Sequence, residues 1–317
     1  MELTLKIAQM VVPVIVMIGL GCICRKKQYI DSQGLLGLKG LIGNITLPVV
    51  LFNAFLTAEY NMRVLLVFAV VYAGFGISLG FGFLTRRYVK PYGRFMPFLL
   101  SSAEGGMLGY ALFALLAGSG SASVFATVDI GQTVFAYTVY LSALKITDGQ
   151  KTSFRDILLN MVSNKACIGM AAGILLGVSG AGAAVMSSGV GGIIKSLISF
   201  ITAPTAGVIL IVVGYELELR RELMGPVIKT LLLRLAVLSV VLAGGSCLIF
   251  AVTPFDRELF MALLLMNALP APFIIPLFAD TGEDGAYIST ALSAGTLMTV
   301  VFFIMIAAYS AASAPWS

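Results

Sequence analysis

Histidine is absent from the 317 residues. That excludes histidine-based zinc sites, Ser-His-Asp triads and a histidine proton relay. Any proton work is left to Asp, Glu, Lys or Tyr. Charge is scarce as well: Asp, Glu, Lys and Arg make up 11% of the chain, against about 25% in soluble domains. Cysteine is confined to Cys22, Cys24, Cys167 and Cys247, all in or beside apolar stretches. Cys22 and Cys24 are too close in sequence for an ordinary disulfide, and all four read as small packing residues. No phosphate-binding glycine loop occurs, so ATP is not expected as the energy source. No paired polar cluster looks catalytic, and the chain is not expected to be an enzyme.

What is abundant is apolar. Hydrophobic residues make up 59% of the chain, and the mean hydropathy is +1.01. The apolar runs are ~20 residues or longer, the length of membrane helices, and too long for barrel strands of ~9–11 residues. The expected fold class is an all-α polytopic membrane protein, with no room for a separate soluble domain. The pI near 9.0 is not a nucleic-acid signal, because the basic residues flank membrane spans. The expected surroundings are a lipid bilayer, with no nucleic acid partner. Met1–Lys6 lacks a basic leader region, and the first run continues to Cys24 before Arg25-Lys26-Lys27. It reads as a retained first helix, not a signal peptide.

Ten spans follow in order: Leu5–Cys24, Leu38–Leu56, Met62–Leu84, Phe95–Ala117, Val124–Ile146, Leu158–Val178, Val190–Val213, Val227–Val252, Arg257–Ala279 and Ala286–Ala308. A polar connector, Thr147–Asp156, divides the first five from the last five. Two spans are interrupted. The fourth carries Ser101-Ser102-Ala103-Glu104-Gly105-Gly106-Met107-Leu108-Gly109 at its middle. The ninth carries Asn267-Ala268-Leu269-Pro270-Ala271-Pro272-Phe273. Glycine weakens a helix, proline breaks one, and a carboxylate is expensive at that depth. Two broken spans in corresponding halves are a sequence pointer to a transport site.

The halves also share a pattern. Leu41-Ile42-Gly43-Asn44-Ile45-Thr46-Leu47-Pro48 aligns with Leu197-Ile198-Ser199-Phe200-Ile201-Thr202-Ala203-Pro204 at one offset. That places the second span on the seventh and the fourth on the ninth. Five spans are odd in number, so the repeat is inverted: residues 1–150 form one half and 151–317 the other. Basic residues cluster on one side, among them Arg25, Lys26, Lys27, Lys39, Arg86, Arg87, Lys145, Lys151, Arg220 and Arg221. Lys6, Arg63, Lys195 and Arg257 fall on the other. The positive-inside rule makes the first side cytoplasmic and puts both termini outside. Arg234 lies within the eighth span and is expected to snorkel or to pair with a carboxylate.

The order and spacing of certain segments resemble a known family. They are Leu47-Pro48-Val49-Val50-Leu51-Phe52, the run from Glu104 to Leu116, the run from Phe125 to Phe135, and the proline pair of the ninth span. The chain resembles the auxin efflux carriers, bacterial relatives of the plant PIN-FORMED proteins. The resemblance implies a fold similar to the bile acid:sodium symporters. That fold has ten helices in two inverted halves, crossing at broken helices 4 and 9, with a scaffold part and a transport part each built from both halves. It also implies transport of small organic anions, a bacterial-type cytoplasmic membrane and a homodimer. Many members carry Asn in the fourth-helix crossover where this chain has Glu104, so a bound anion would require Glu104 to be protonated or to hold a cation.

The candidate residues follow. Substrate contacts are expected from Asn44, Asn53, Glu104, Gly105, Gly106, Gly109, Asn267, Pro270 and Pro272. Asn44 and Asn53 are read as sharing one cavity-lining face. The half-helices starting near Gly106–Gly109 and Ala271–Phe273 would aim N–H groups at an anion. Carbonyl ends near Glu104 and Ala268 would suit Na⁺ or a proton-bearing group. Ion coupling is expected from Glu104, Asp129, Gln132 and Thr133, with Na⁺ or H⁺ as the coupling ion and no other metal. For each of these positions a purely structural role stays open, as helix crossing for the glycines and interhelical hydrogen bonding for the polar residues. The expected function is secondary transport of a small organic anion by alternating access. An uncoupled facilitator and a membrane ligand sensor remain the alternatives.

Overall fold

The protein was analysed as a computed structural model that describes residues 2–149, 155, 159 and 162–312. The regular structure of the described residues is all helical, with no strand. The helices are α1 (Glu2–Lys26), α2 (Ser32–Leu56), α3 (Met62–Thr85), α4 (Met96–Leu100), α5 (Tyr110–Ala117), α6 (Ala122–Thr147), α7 (Lys165–Val178), α8 (Ala181–Ser187), α9 (Gly191–Glu216), α10 (Met224–Val252), α11 (Arg257–Ala268), α12 (Ile275–Phe278) and α13 (Gly285–Ala312). Among the described residues eight helical stretches are long and apolar enough to cross a membrane, or nine if the bent pair α7 and α8 counts as one. The chain is an integral membrane protein of the helical kind. The start of the sixth expected span at Leu158, most of the connector after Gly149, and Lys151 lie outside the described residues.

Helix starts are fixed by short polar side chains. Asp31 accepts from Gly34 N–H (2.7 Å), Asn61 from Val64 N–H (3.1 Å), Asn164 from Cys167 N–H (3.1 Å) and Asp256 from Leu259 N–H (3.0 Å). Each satisfies a backbone donor that the first turn leaves open. Pro48 has no N–H, and the turn before it widens to a π-helical turn over Ile42–Thr46. At the aligned place in the other half, around Pro204, the helix is interrupted between Thr202 and Thr205. Similar wide turns occur at Gly105–Gly109 and Ala136–Tyr140.

Burial is inverted relative to a soluble protein. Phe200 is 84% exposed and Leu84 78%, whereas Arg234 is 1% exposed and Asp129 fully buried. In lipid the outward face must be apolar, and polar groups must be satisfied within the bundle. Two helix pairs approach backbone to backbone. Gly169, Gly173 and Gly177 on α7 lie against the carbonyls of Pro48, Phe52 and Phe55 on α2; a Cβ there would stand 2.3, 2.5 and 2.9 Å from those oxygens. Gly21 on α1 and Gly214 on α9 do the same, with a Cβ meeting the Ile211 and Ile18 carbonyls at 2.1 and 2.0 Å. Small residues at such spacing replace the hydrophobic drive that lipid abolishes.

Candidate functional site

The stretch expected to be the fourth span is two helices with an irregular middle. Helix α4 stops at Leu100, four residues earlier than the position read from sequence. Ser101 is extended, and Ser102 adopts a positive φ of +60°, which costs about 1–2 kcal/mol for an L-residue. The surroundings secure that conformation. Gln132 Nε2 donates to Ser102 Oγ (3.0 Å) and to the Ala103 carbonyl (2.6 Å). Glu104 then begins the second half as its cap, not the end of the first. The ninth-span break runs over 269–274, between α11 and α12. The two breaks touch: Glu104 N–H donates to the Pro270 carbonyl (3.0 Å).

An acidic and a basic side chain are built into this crossing. Glu104 Oε2 accepts from Phe273 N–H (2.7 Å) and Oε1 from Met107 N–H (3.4 Å). One carboxylate is therefore bound by N–H groups from both broken spans. The carbonyl pole is served by Arg234 from α10. Its Nη1 donates to Leu99 (3.0 Å) and lies 3.5 Å from the Ser101 carbonyl, and its Nη2 donates to Ser102 and Leu269 (both 2.8 Å). The expectation that Arg234 snorkels or pairs with a carboxylate is corrected. It is buried on four carbonyl oxygens at the two breaks, so carbonyls of the kind expected to suit Na⁺ face a guanidinium. A guanidinium has several donors in one plane and fits splayed carbonyls as a point cation does not.

A cavity of 630 Å³ abuts the crossing, within the size range of small-molecule sites. Glu104, Gly106, Met107, Pro272 and Phe273 contribute from the breaks, and Asp129, Gln132, Thr133 and Tyr137 from α6. Each of the three wide turns lends residues to it: Gly43, Gly106 and Ala136 among them. Lys39 and Glu216 also line the cavity and form an ion pair in its wall. Asp129 is fully buried beside the hydroxyls of Tyr110 and Thr133. Tyr137 accepts from Asn164 Nδ2 (2.9 Å), which ties α6 to the start of α7.

The sequence-derived candidates separate by place. Glu104, Gly106, Pro272, Asp129, Gln132 and Thr133 line the cavity. Gly105, Gly109 and Pro270 stand behind it as framework: Pro270 pairs with Glu104, and the two glycines admit Asp129 and Phe125. Asn44 and Asn53 do not line it, which corrects the shared-face expectation. Nine residues at about 100° each make a half-turn, and the cavity face of α2 belongs to Leu36, Lys39, Gly40, Gly43, Leu47 and Leu51. Asn44 instead bonds its own helix at the Gly40 carbonyl (2.9 Å). Asn267 is also corrected: it donates to Leu263 of its own helix (2.9 Å) and faces a small separate cavity beside Ser246. Missed from sequence were Lys39, Glu216, Tyr137, Asn164 and Cys167. Lys39 read as a topology signal and Cys167 as packing, yet both line the cavity.

The glycines yield a matched test. A Cβ on Gly105 would stand 2.3 Å from Asp129 Oδ1, whereas one on Gly106 meets only Leu47 Cδ2 at 3.7 Å. G105A is expected to lower the thermal midpoint of the purified protein by several degrees, at about 1–3 kcal/mol of overpacking. G106A is expected to match the wild type in the same melt.

No protein-family model matches this chain, and no curated protein matches it.

Proposed function

We propose that this chain is a secondary transporter that carries a small organic acid across a cytoplasmic membrane by alternating access. The observation that carries this reading is the carboxylate cradle, formed by Phe273 and Met107 N–H groups from two crossing broken helices at the wall of a 630 Å³ cavity. Broken helices with opposed dipole ends at one site are the membrane solution for binding small ions without a soluble domain.

On this reading the chain has ten transmembrane helices in two inverted halves, and the breaks belong to the fourth and ninth. Reciprocal packing supports the repeat. The first helix of one half, α1, packs on α9, the second of the other; α7, first of the second half, packs on α2. The resemblance to auxin efflux carriers points the same way. Glu104 is the coupling group, with Asp129 and Thr133 beside it, and Gln132 holds the break in shape. The cavity reaches the side bearing Lys39, Glu216 and Thr281, which the positive-inside rule makes cytoplasmic.

Purified protein in proteoliposomes, offered mono- and dicarboxylates under imposed H⁺ or Na⁺ gradients, tests the reading. Uphill accumulation of an acid is the expected result. Flux that follows only the acid's own gradient marks an uncoupled facilitator, and binding without flux marks a sensor. Neither binding nor flux with any acid overturns the proposal. One observation favours a second reading, an organic-cation carrier: Glu104, Asp129 and Glu216 face the cavity against a single Lys39 among the described residues. Uptake of tetraethylammonium in the same vesicles, with no uptake of acids, would select it.

The Lys39–Glu216 pair is expected to restrict entry. Its side chains are 37% and 39% exposed, so it contributes at most about 1 kcal/mol. In a variant retaining only Cys167, the added change K39M is expected to speed maleimide labelling of that thiol by roughly two- to fivefold.

A further inference from the structure

We infer that the ligand's carboxylate and the Glu104 carboxylate are alternative occupants of one cradle, so that each acid binds together with one proton and the site keeps the same charge. The inference rests on the organic-acid reading. Both poles of the crossing are already served by the chain itself. Arg234 holds the carbonyls of Leu99, Ser101, Ser102 and Leu269. Glu104 holds the N–H groups of Phe273 and Met107. A second carboxylate can take those N–H groups only if the first lets go.

Simple addition is opposed by what surrounds the cradle. Asp129 is fully buried and lines the same cavity, with the neutral hydroxyls of Tyr110 and Thr133 beside it and no cation paired to it among the described residues. Carboxylates crowded into one site cannot all stay ionised. The other charged groups near Glu104 are Lys39 from α2, engaged with Glu216 from α9, and Arg234 from α10, engaged with carbonyls. Tyr110 of α5, Tyr137 and Tyr140 of α6 and Cys167 of α7 are titratable neutral groups around it, and among the described residues α11 and α13 bring no charged side chain to the cavity lining. Among the described residues, therefore, no unengaged cation lines the cavity to meet an incoming anion.

The exchange balances. In the pH range where Glu104 is ionised, the cradle holds that carboxylate before binding. A proton from water adds to a Glu104 oxygen, the Phe273 and Met107 N–H bonds to it are released, and the ligand's carboxylate accepts from both. The site carries one negative charge before and one after. Departure, on whichever side the cavity then opens, reverses each step and releases acid and proton together.

The test uses the full chain with C22S, C24S and C247S, leaving Cys167 as a reporter in the cavity wall. Benzoate, acetate and succinate are the probes. Protection of Cys167 from maleimide yields the binding constant, and a pH dye in weak buffer counts protons. The expected result is uptake of one proton per acid bound, with apparent affinity falling tenfold per pH unit where Glu104 is ionised. E104Q is expected to bind without proton uptake and without that slope. Binding by the wild-type sequence at position 104 with no proton uptake overturns the inference and leaves the organic-acid reading standing; this measurement holds whether or not E104Q folds. No protection by any probe at any pH, in either protein, overturns the inference and that reading together.

Discussion

The R234M protein is expected to melt on the order of 10 °C below the wild type, or to fail to accumulate as a monodisperse species. Methionine fills much of the volume and removes every donor. Carbonyl oxygens of Leu99, Ser102 and Leu269 then lose their partner in a fully buried place, and Ser101 loses its nearest cation. Each orphaned group costs about 1–3 kcal/mol, and with Arg234 shut off from the cavity no water stands ready to replace the bond. At about 2–4 °C per kcal/mol for a chain of this order, the sum is large. R234K supplies a compact ammonium that cannot spread over two breaks, so it should fall between. The measurement is monodispersity by size exclusion after heating. An R234M midpoint within about 2 °C of wild type would show that the guanidinium does not hold the crossing together.

Removing the opposite charge is expected to act on turnover. E104A leaves Phe273 and Met107 N–H groups without an acceptor at the cavity wall. Bonds to charged groups contribute about 1.5–3 kcal/mol each. Flux in vesicles should fall by roughly a hundredfold or more. E104D shortens the side chain by one methylene and should retain a small fraction, because the carboxylate no longer spans both breaks. The decisive comparison is flux per folded molecule. If E104A transports an acid at the wild-type rate while melting normally, Glu104 is framework and the coupling reading is lost.

The helical layout was legible because its signals are local. Apolar run length, Pro48, Pro204 and the glycine-rich break each act within a few residues, so the helix limits fall close to the expected spans. The break at Glu104 was visible for the same reason, since a carboxylate among glycines has no ordinary place in a bilayer. The partners of Arg234 were not visible. Its acceptors lie up to 135 residues away, and backbone carbonyls carry no sequence letter. Asn44 and Asn53 were misplaced by an angular error of a half-turn. The Gly169, Gly173 and Gly177 series had a readable four-residue spacing that would have announced the α7–α2 seam. Cys167 and Lys39 could not be assigned to the cavity, because a packing thiol and a loop lysine look the same in sequence wherever they point.

One feature of the packing bears on how such a molecule would move. Where α1 meets α9 and α7 meets α2, glycine lets backbone touch backbone. At those points little side chain lies between the backbones to slide or repack, and on the transport reading each pair behaves as a stiff plate. On the transport reading the plates are the frame. Apart from the Lys39–Glu216 pair, their cavity-facing surface is largely aliphatic, with Leu36, Leu47, Leu51 and Val213, while the crossing carries Glu104 and α6 carries Asp129. Asn164 to Tyr137 and Glu218 N–H to Ser293 Oγ (2.9 Å) are latches across the gap. A greasy plate facing a polar carriage is a bearing: displacement exchanges one set of dispersion contacts for another of similar strength. The stroke is then opposed mainly by a few latches, not by the bulk of the interface.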